Sequence, residues 1–491
     1  LLEEVFGANM NKTNFWKHLG IAAVIISIAA IFGQIRNWQS QIRERVANDA
    51  IVSETAPKPI AIKRTQSDTE PEILVRFRSD VSLDDIKEIA AKNNDYVEDE
   101  IESVNNLVAI DDLDNRDAET VAEQYREMSD LVLYAEPNYE ISINQEQFKE
   151  DYTLDYADIA IQDDKSVTAP NDPMFSEQWA LNNDGQGGGK EKAHLDALKA
   201  WVKTQGSQDV VVAVLDTGVD YTQQDLVNNM WFRPENVPAY VDDELGTIDD
   251  ERGYNADANS GDPMDENGHG THCSGIIGAE GNNGLGITGI NWKVKIMPLK
   301  FLGRGGFGST KNAIESINYA IDRKKAGVNI RVINASWGST QNSKALEDAI
   351  RAAGEQGILF VAAAGNNGTN NDSRPHYPSN YNLPNVISVA AMDRNDELAS
   401  FSNYGVKTVH IAAPGKEILS TWLNDGFREA SGTSMATPQV VGVAALILAD
   451  NPKMKVETLR KKLLNSVDKL DVLDGKVENS GRLNAAKALT E

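Results

Sequence analysis

The longest unbroken apolar stretch near the start of the chain is LGIAAVIISIAAIFG, residues 19–33. Its length fits the core of a signal peptide and is short for a helix that must cross a bilayer. Lys12, Lys17 and His18 precede it. Two readings fit: a cleaved export signal, or an uncleaved anchor. No clean A-x-A site follows the run, and QIRNWQSQIRERV continues like a helix. Residues 1–46 are therefore read as a targeting segment. Residues 47–71, polar and proline-containing, are read as a linker.

The pattern then becomes short and alternating. EILVRF (72–77) and NLVAIDDL (106–113) read as strands. SLDDIKEIAAKN (82–93) reads as a helix capped by Ser82, and AETVAEQYREMS (118–129) as a second helix. LVLYAEPNYEISI (131–143) closes the unit as strand and tail. The prediction is a small α+β domain over 72–144, of β-α-β-α-β type. Residues 145–170 are acidic, weakly periodic and read as an exposed linker.

From 171 to 491 strands and helices alternate. DVVVAVLD (209–216), KVKIMPLKF (293–301), NIRVINAS (329–336), GILFVAAAG (357–365) and NVISVAA (385–391) are apolar throughout and rich in β-branched residues. Such runs suit strands buried on both faces of a parallel sheet. The helical stretches STKNAIESINYAIDRKK, SKALEDAIRAAGEQ and SMATPQVVGVAALILAD lie among them. The expected fold is one large α/β domain with a doubly wound, mostly parallel sheet.

Charge narrows the partners. The chain carries 47 Lys and Arg against 74 Asp and Glu, a net charge of −27, which argues against a nucleic-acid partner. The single cysteine, Cys273, excludes an intramolecular disulfide but not export, because a chain of this length needs no covalent staple.

Reactive residues in an open parallel sheet gather at the carboxyl ends of strands. Asp216 ends VVVAVLD, His269 lies in NGHGTHCSGIIG, and Ser434 lies in SGTSMATP at the start of a helix. A serine hydroxyl is a poor nucleophile at neutral pH. It needs a base within reach and a buried carboxylate to fix that base's tautomer. These three residues could supply those roles.

Their surroundings resemble the subtilisin-like serine proteases. VAVLDTGVD, NGHGTHCSGIIG and SGTSMATPQVVG match the family's Asp, His and Ser blocks, in the family's order. The resemblance implies Asp216, His269 and Ser434 as a catalytic triad. GILFVAAAGNNG is a fourth match and implies Asn366 as an oxyanion-hole donor. A turn asparagine would be the plainer reading of that block alone. Residues 72–143 resemble the family's inhibitory propeptide, which implies an autoprocessed precursor whose own propeptide blocks it, with the maturation site in linker 145–170. The substrates implied are proteins or peptides. A non-catalytic binding protein on the same fold is the rival.

GRGGFG (303–308) fits G-x-G-x-x-G after a strand and before a helix. A dinucleotide site wants an acid at the end of the next strand, but NIRVINAS ends in Asn334-Ala335-Ser336. A P-loop fails because Ser309 stands where the lysine belongs. The family resemblance instead implies an extended peptide held between Gly303, Arg304 and Gly305 on one side and Ser336, Trp337 and Gly338 on the other. Alignment on HYPSN places His376 at the floor of the first specificity pocket. Near the serine block Gln439 stands where many relatives have histidine.

Calcium is the implied cofactor. NNGLGITG resembles the family's calcium loop, with the Asn283 side chain and the Leu285 and Ile287 carbonyls as ligands, joined by Asp172 and Asp225. Hard oxygen donors from separate segments suit Ca²⁺. NADANSGDPMDENG offers a second set, Asp257, Asn259, Asp262 and Asp265, which reads equally as a solvated acidic loop. His272, three residues after His269, has no evident third zinc ligand and reads as packing.

Overall fold

The computed structural model describes residues 72–143, 147–148, 169–243 and 245–490. The targeting segment, the first linker and most of linker 145–170 lie outside the described residues.

Nine strands form the main sheet. Their order is Tyr254–Asn255, Lys293–Lys300, Gly206–Asp216, Ile330–Ala335, Leu359–Ala363, Val386–Met392, Ile411–Pro414, Gly481–Leu483 and Val467–Lys469. Neighbours are parallel except the last pair. The first of these strands in the chain, Gly206–Asp216, sits inside the sheet with later strands on both sides. That makes its carboxyl end a switch point, where connections leave to opposite faces and a crevice opens.

The strand sequences explain the layers. Val210, Val212 and Val214 belong to one core, while Val211, Ala213 and Leu215 belong to the other. Both faces are therefore covered, which is why these strands show no alternation of polarity. Helices His269–Gly278 and Thr433–Asp450 cover the first face. Helices Thr310–Lys325 and Lys344–Glu355 cover the second. Helix Thr433–Asp450 is apolar almost all round because it is interior: Leu446 and Leu448 are wholly buried.

The N-terminal unit differs from the expected pattern by one strand. Its sheet runs Asp95–Glu100, Leu107–Asp112, Glu72–Phe77 and Val132–Pro137, all antiparallel. Strand Asp95–Glu100, DYVEDE, was not legible because its only apolar residues are Tyr96 and Val97, and just Asp95 is fully buried. The unit is thus β-α-β-β-α-β.

This unit caps two helices of the larger domain. The Glu136 carboxylate accepts from Ser343 Oγ at 2.5 Å, Lys344 N at 2.9 Å and Ala345 N at 3.1 Å, at the start of helix Lys344–Glu355. Asn138 Oδ1 accepts from Lys311 N at 2.9 Å, and the Tyr139 carbonyl from Thr310 N at 2.9 Å, at the start of helix Thr310–Lys325. Helix starts leave N–H groups without internal partners and carry partial positive charge, so an incoming carboxylate is well placed there.

Leu446→Ala is expected to lower folding stability by about 2–5 kcal/mol through the cavity it leaves. Urea unfolding with hydrolysis blocked would measure it. A loss below about 1 kcal/mol would contradict the interior placing of this helix.

Candidate active site

Asp216 ends strand Gly206–Asp216, and His269 begins helix His269–Gly278. Both are fully buried, and His269 Nδ1 lies 2.6 Å from Asp216 Oδ1. The Thr217 N–H donates to the same oxygen at 2.7 Å. With Nδ1 engaged by a carboxylate, Nε2 is the nitrogen that can accept a proton from elsewhere. Ser434 is the second residue of helix Thr433–Asp450. Its Oγ donates to the Ser336 carbonyl at 3.0 Å, and Ser336 Oγ donates back to the Ser434 carbonyl at 2.9 Å. These bonds tie the helix start to the end of strand Ile330–Ala335.

Asn366 follows strand Leu359–Ala363 by three residues. Its Oδ1 accepts from Thr433 N at 2.8 Å and from Thr433 Oγ1 at 2.9 Å. That leaves Nδ2 buried and without a hydrogen-bond partner in this structure. A buried amide donor left open is costly unless something else uses it. Thr433, which orients this amide, had no signal in the sequence beyond its place beside Ser434.

An extended segment crosses the site. Strand Glu140–Ser142 pairs antiparallel with Phe307–Ser309. Ile143 N donates to the Gly306 carbonyl at 3.0 Å, and Gly338 N donates to the Ser142 carbonyl at 3.2 Å. Gln147–Phe148 pairs with Ala430 and Ser431, just ahead of Ser434. The pairing edge starts later than Gly303–Gly305. Those residues form the preceding turn, closed by Gly306 N donating to the Gly303 carbonyl at 2.8 Å. Arg304 is exposed, and its carbonyl accepts from Asn267 Nδ2 at 2.9 Å. At Gly306 a Cβ would lie 2.6 Å from Ile143 Cδ1, so glycine lets the two backbones approach. On the opposite wall Gly338 faces this segment through its backbone, while Ser336 is engaged with Ser434. The Trp337 side chain turns into the core, where Nε1 donates to the Leu215 carbonyl at 2.7 Å.

The profile of the subtilase family (Peptidase_S8) matches residues 207–483. The chain belongs to the subtilase family. A thermophilic serine proteinase of Bacillus sp. (strain AK1) is 32% identical over 457 residues, covering 91% of this chain and 94% of that protein. Thermitase of Thermoactinomyces vulgaris is 35% identical over 320 residues, covering 65% of this chain and 99% of that protein. The crystal structure of fervidolysin from Fervidobacterium pennivorans, described as a keratinolytic enzyme related to subtilisin, superposes with a TM-score of 0.66 at 25% identity. That match covers 86% of this chain and 61% of fervidolysin's. The chain is accordingly a serine endopeptidase acting on proteins or peptides.

In this subtilase His376 sits in a slot between two glycines. A Cβ on Gly338 would lie 2.1 Å from His376 Cε1, and one on Gly365 would lie 3.0 Å from Cδ2. Burial pulls the ring's pKa down to about 4, so it is neutral at physiological pH.

Asp172 and Asp225 converge on loop 282–287. Asp172 accepts from Asn282 N at 2.7 Å and Asn283 N at 3.1 Å. Asp225 accepts from Asn283 Nδ2 at 2.8 Å and Ile287 N at 2.9 Å. Asn283 Oδ1 accepts from Leu285 N at 2.8 Å. Burial pushes Asp172 up to about 6 and Asp225 to about 7, with the Asp172 charge adding to the Asp225 shift. Two buried carboxylates gathered on one loop, close enough for the Asp172 charge to raise Asp225, are hard oxygen donors that fit a divalent cation.

The acidic stretch before His269 divides instead of gathering. Asp257 and Asn259 are exposed, and Asp257 lies against Gly303. Asp262, also exposed, accepts from Tyr221 OH at 2.9 Å. Asp265 is buried and accepts from Thr217 Oγ1 at 2.9 Å, Asn267 N at 2.9 Å, Gly268 N at 3.0 Å, Thr271 N at 3.0 Å and Thr271 Oγ1 at 2.7 Å. With its oxygens so occupied, it anchors the turn that delivers His269, and the four do not form one ligand set. His272 points away from His269: its Nε2 lies 2.9 Å from the Arg428 carbonyl, and burial lowers its pKa to about 3. Cys273 is buried, with Sγ 3.6 Å from the Ser434 carbonyl.

Asp265→Ala leaves several buried donors open. It is expected to lower stability by about 3 kcal/mol or more and to cut hydrolysis with it. Thermal unfolding and kcat on one preparation would check this; unchanged values for both would show that the turn holds without Asp265.

Proposed function

We propose that this subtilase is an autoprocessed serine endopeptidase precursor in which Asp216, His269 and Ser434 form the triad. The observation that carries the reading is the segment Glu140–Ile143, strand-paired between Gly306–Ser309 and Gly338 in the position a substrate would take. Backbone pairing of this kind holds a peptide by main-chain hydrogen bonds and leaves side-chain choice to pockets.

Ser434 Oγ attacks the scissile carbonyl carbon and passes its proton to His269 Nε2. Asp216 fixes the tautomer and favours the imidazolium. The tetrahedral oxygen takes hydrogen bonds from Asn366 Nδ2 and the Ser434 N–H, near a helix start of favourable sign. His269 then gives the proton to the leaving amine, and water repeats the cycle on the acyl-enzyme. Residues 72–143 act as the intramolecular inhibitor. The first cut falls after Ile143 and before Gln147, at the very start of the acidic linker, a reading supported by the pairing of Glu140–Ser142 and Gln147–Phe148 on either side. The apolar run 19–33 supports export, or a membrane tether if it is retained.

Calcium would be held by Asp172, Asp225, the Asn283 amide oxygen and the Leu285 and Ile287 carbonyls. Bound there, it neutralises the two buried carboxylates and ties residue 172 to the loop. It takes no part in peptide hydrolysis.

Intact mass and N-terminal sequencing of wild type and Ser434→Ala test the main reading. Wild type should begin within residues 144–147 while the variant stays whole; equal cleavage of both would point to an outside protease and remove the self-processing claim. Asn366→Ala should lower kcat about 10²–10³-fold with KM little changed, a size known from subtilisin itself.

Without calcium, the raised Asp172 and Asp225 values mean the folded chain binds extra protons. That stabilisation is present at acid pH and is lost as pH rises from the ordinary 3.8 towards about 7. Millimolar calcium should abolish the loss and Asp225→Asn should abolish the calcium effect, both read by calorimetry on Ser434→Ala. No calcium response in the unsubstituted site would exclude it.

His376 fills its slot with a neutral ring, so short side chains should be preferred before the cut bond. His376→Gly should raise kcat/KM for a phenylalanine at that position at least about tenfold relative to alanine; an unchanged ratio would place the pocket floor elsewhere.

A further inference from the structure

We propose that the seam between residues 72–143 and the catalytic domain is a proton-held latch, in which Asp99 and Glu315 share a proton across the interface and let go as pH rises. The proposal rests on the reading of 72–143 as the cleft-blocking unit and adds how that block is released.

Strand Asp95–Glu100 and the turn after it lie on helix Thr310–Lys325. Asn318 Nδ2 donates to Glu102 Oε2 at 3.0 Å, and Ser103 Oγ bonds Asn318 Oδ1. Lys311 Nζ lies 3.5 Å from Glu98 and 3.6 Å from Asp99. One turn along the helix, Glu315 is 5% exposed, and its Oε1 has no hydrogen-bond partner. The Asp99 side chain, 10% exposed, comes from the other side of the seam to the same buried cluster. Two carboxyl groups can hydrogen-bond directly only when one carries a proton.

Most of the surrounding charges are negative. Glu98, Asp99 and Glu102 come from the N-terminal unit. Glu315 comes from the helix, and Asp242 and Asp243 from the segment that begins at Tyr240. Lys311 is the cation that faces Asp99 and Glu315. Tyr240 and Tyr254 pack close to the same carboxyl groups. A cavity of about 190 Å³, lined by Glu102, Ser103, Tyr240, Asp243, Asn318 and Lys325 among others, lies along the seam and gives it room for water. A cluster this acidic, with this little compensation, cannot stay fully ionised once closed.

Burial raises Asp99, Glu102 and Glu315, Glu102 to about 7, and their mutual charges add to the shift. The docked state therefore binds more protons than the separated one. Docking is tightest below the ordinary carboxylate range and weakens as pH rises through the raised values. The Asp348 anchor, bonded by Arg76 and by Tyr134 OH, is a further contact across the seam. Glu136, also raised by burial, works in the same direction, so variants at Glu315 are needed to isolate the latch.

The test uses the full chain carrying Ser434→Ala, so that docking is read independently of cleavage. Hydrogen exchange of the Phe307–Ser309 amides, corrected for intrinsic rate, reports whether strand Glu140–Ser142 is in place. Protection should fall as pH rises above the ordinary carboxylate range, by at most about tenfold per pH unit for each proton released. Glu315→Gln, whose amide can still donate to Asp99 but cannot ionise, should make that fall shallower, leaving the part due to Glu102 and Glu136. The same slope in wild-type Glu315 and in Glu315→Gln, or loss of protection on chelating calcium at constant pH, would overturn the latch. A parallel assay of otherwise wild-type chain follows the delay before peptidase activity appears. If protection falls with pH as expected but activity shows no delay at any pH, the latch stands and the inhibitory role of 72–143 falls.

Discussion

A parallel sheet buried on both faces can present reactive groups only at its edge, and that constraint organises this molecule. Val210 to Leu215 are divided between two cores, so the strand has no free face on which to display chemistry. Asp216 ends the strand while still wholly buried, and its 2.6 Å bond to His269 forms out of contact with water. Ser336 and Asn366 lie beyond the carboxyl ends of neighbouring strands, and the helix of Ser434 starts against both through Thr433 and the Ser336 carbonyl. The site is a row of strand ends stitched to two helix starts.

Much of this was legible in the sequence for a physical reason. Strands covered on both sides need mainly apolar runs rich in β-branched residues, and five such runs stand out. The residues at their carboxyl ends then select themselves, and the blocks around Asp216, His269 and Ser434 carry the family's signature. What stayed hidden depends on contacts between distant segments. DYVEDE forms a strand by pairing with Leu107–Asp112, not by its own pattern. The row of acids before His269 looks like a ligand set in one dimension. Folding sends Asp265 inward to five donors and leaves Asp257 and Asp262 outside. In the glycine loop, the turn at Gly303–Gly306 shifts the pairing edge towards Ser309.

The N-terminal unit completes the larger domain as much as it covers it. Glu136 and Asn138 satisfy the open N–H groups of two helices that form one face of the core. Removing the unit would return those groups to water. The same short run of chain, residues 136–143, thus finishes two helices and then enters the cleft.

The grip on Glu140–Ile143 joins burial of the Ile141 side chain to a run of backbone hydrogen bonds. Backbone amides are common to every protein, so what they discriminate is availability. A stretch already committed to a helix or to the interior of a sheet has no free edge to offer and must first surrender its own pairing. Local opening free energies range from near zero in loops to the full stability of a core. The cleft therefore works as a gauge of local unfolding. It spares compact regions, takes strained or frayed ones, and makes the resistance of any target a property of that target's own fold.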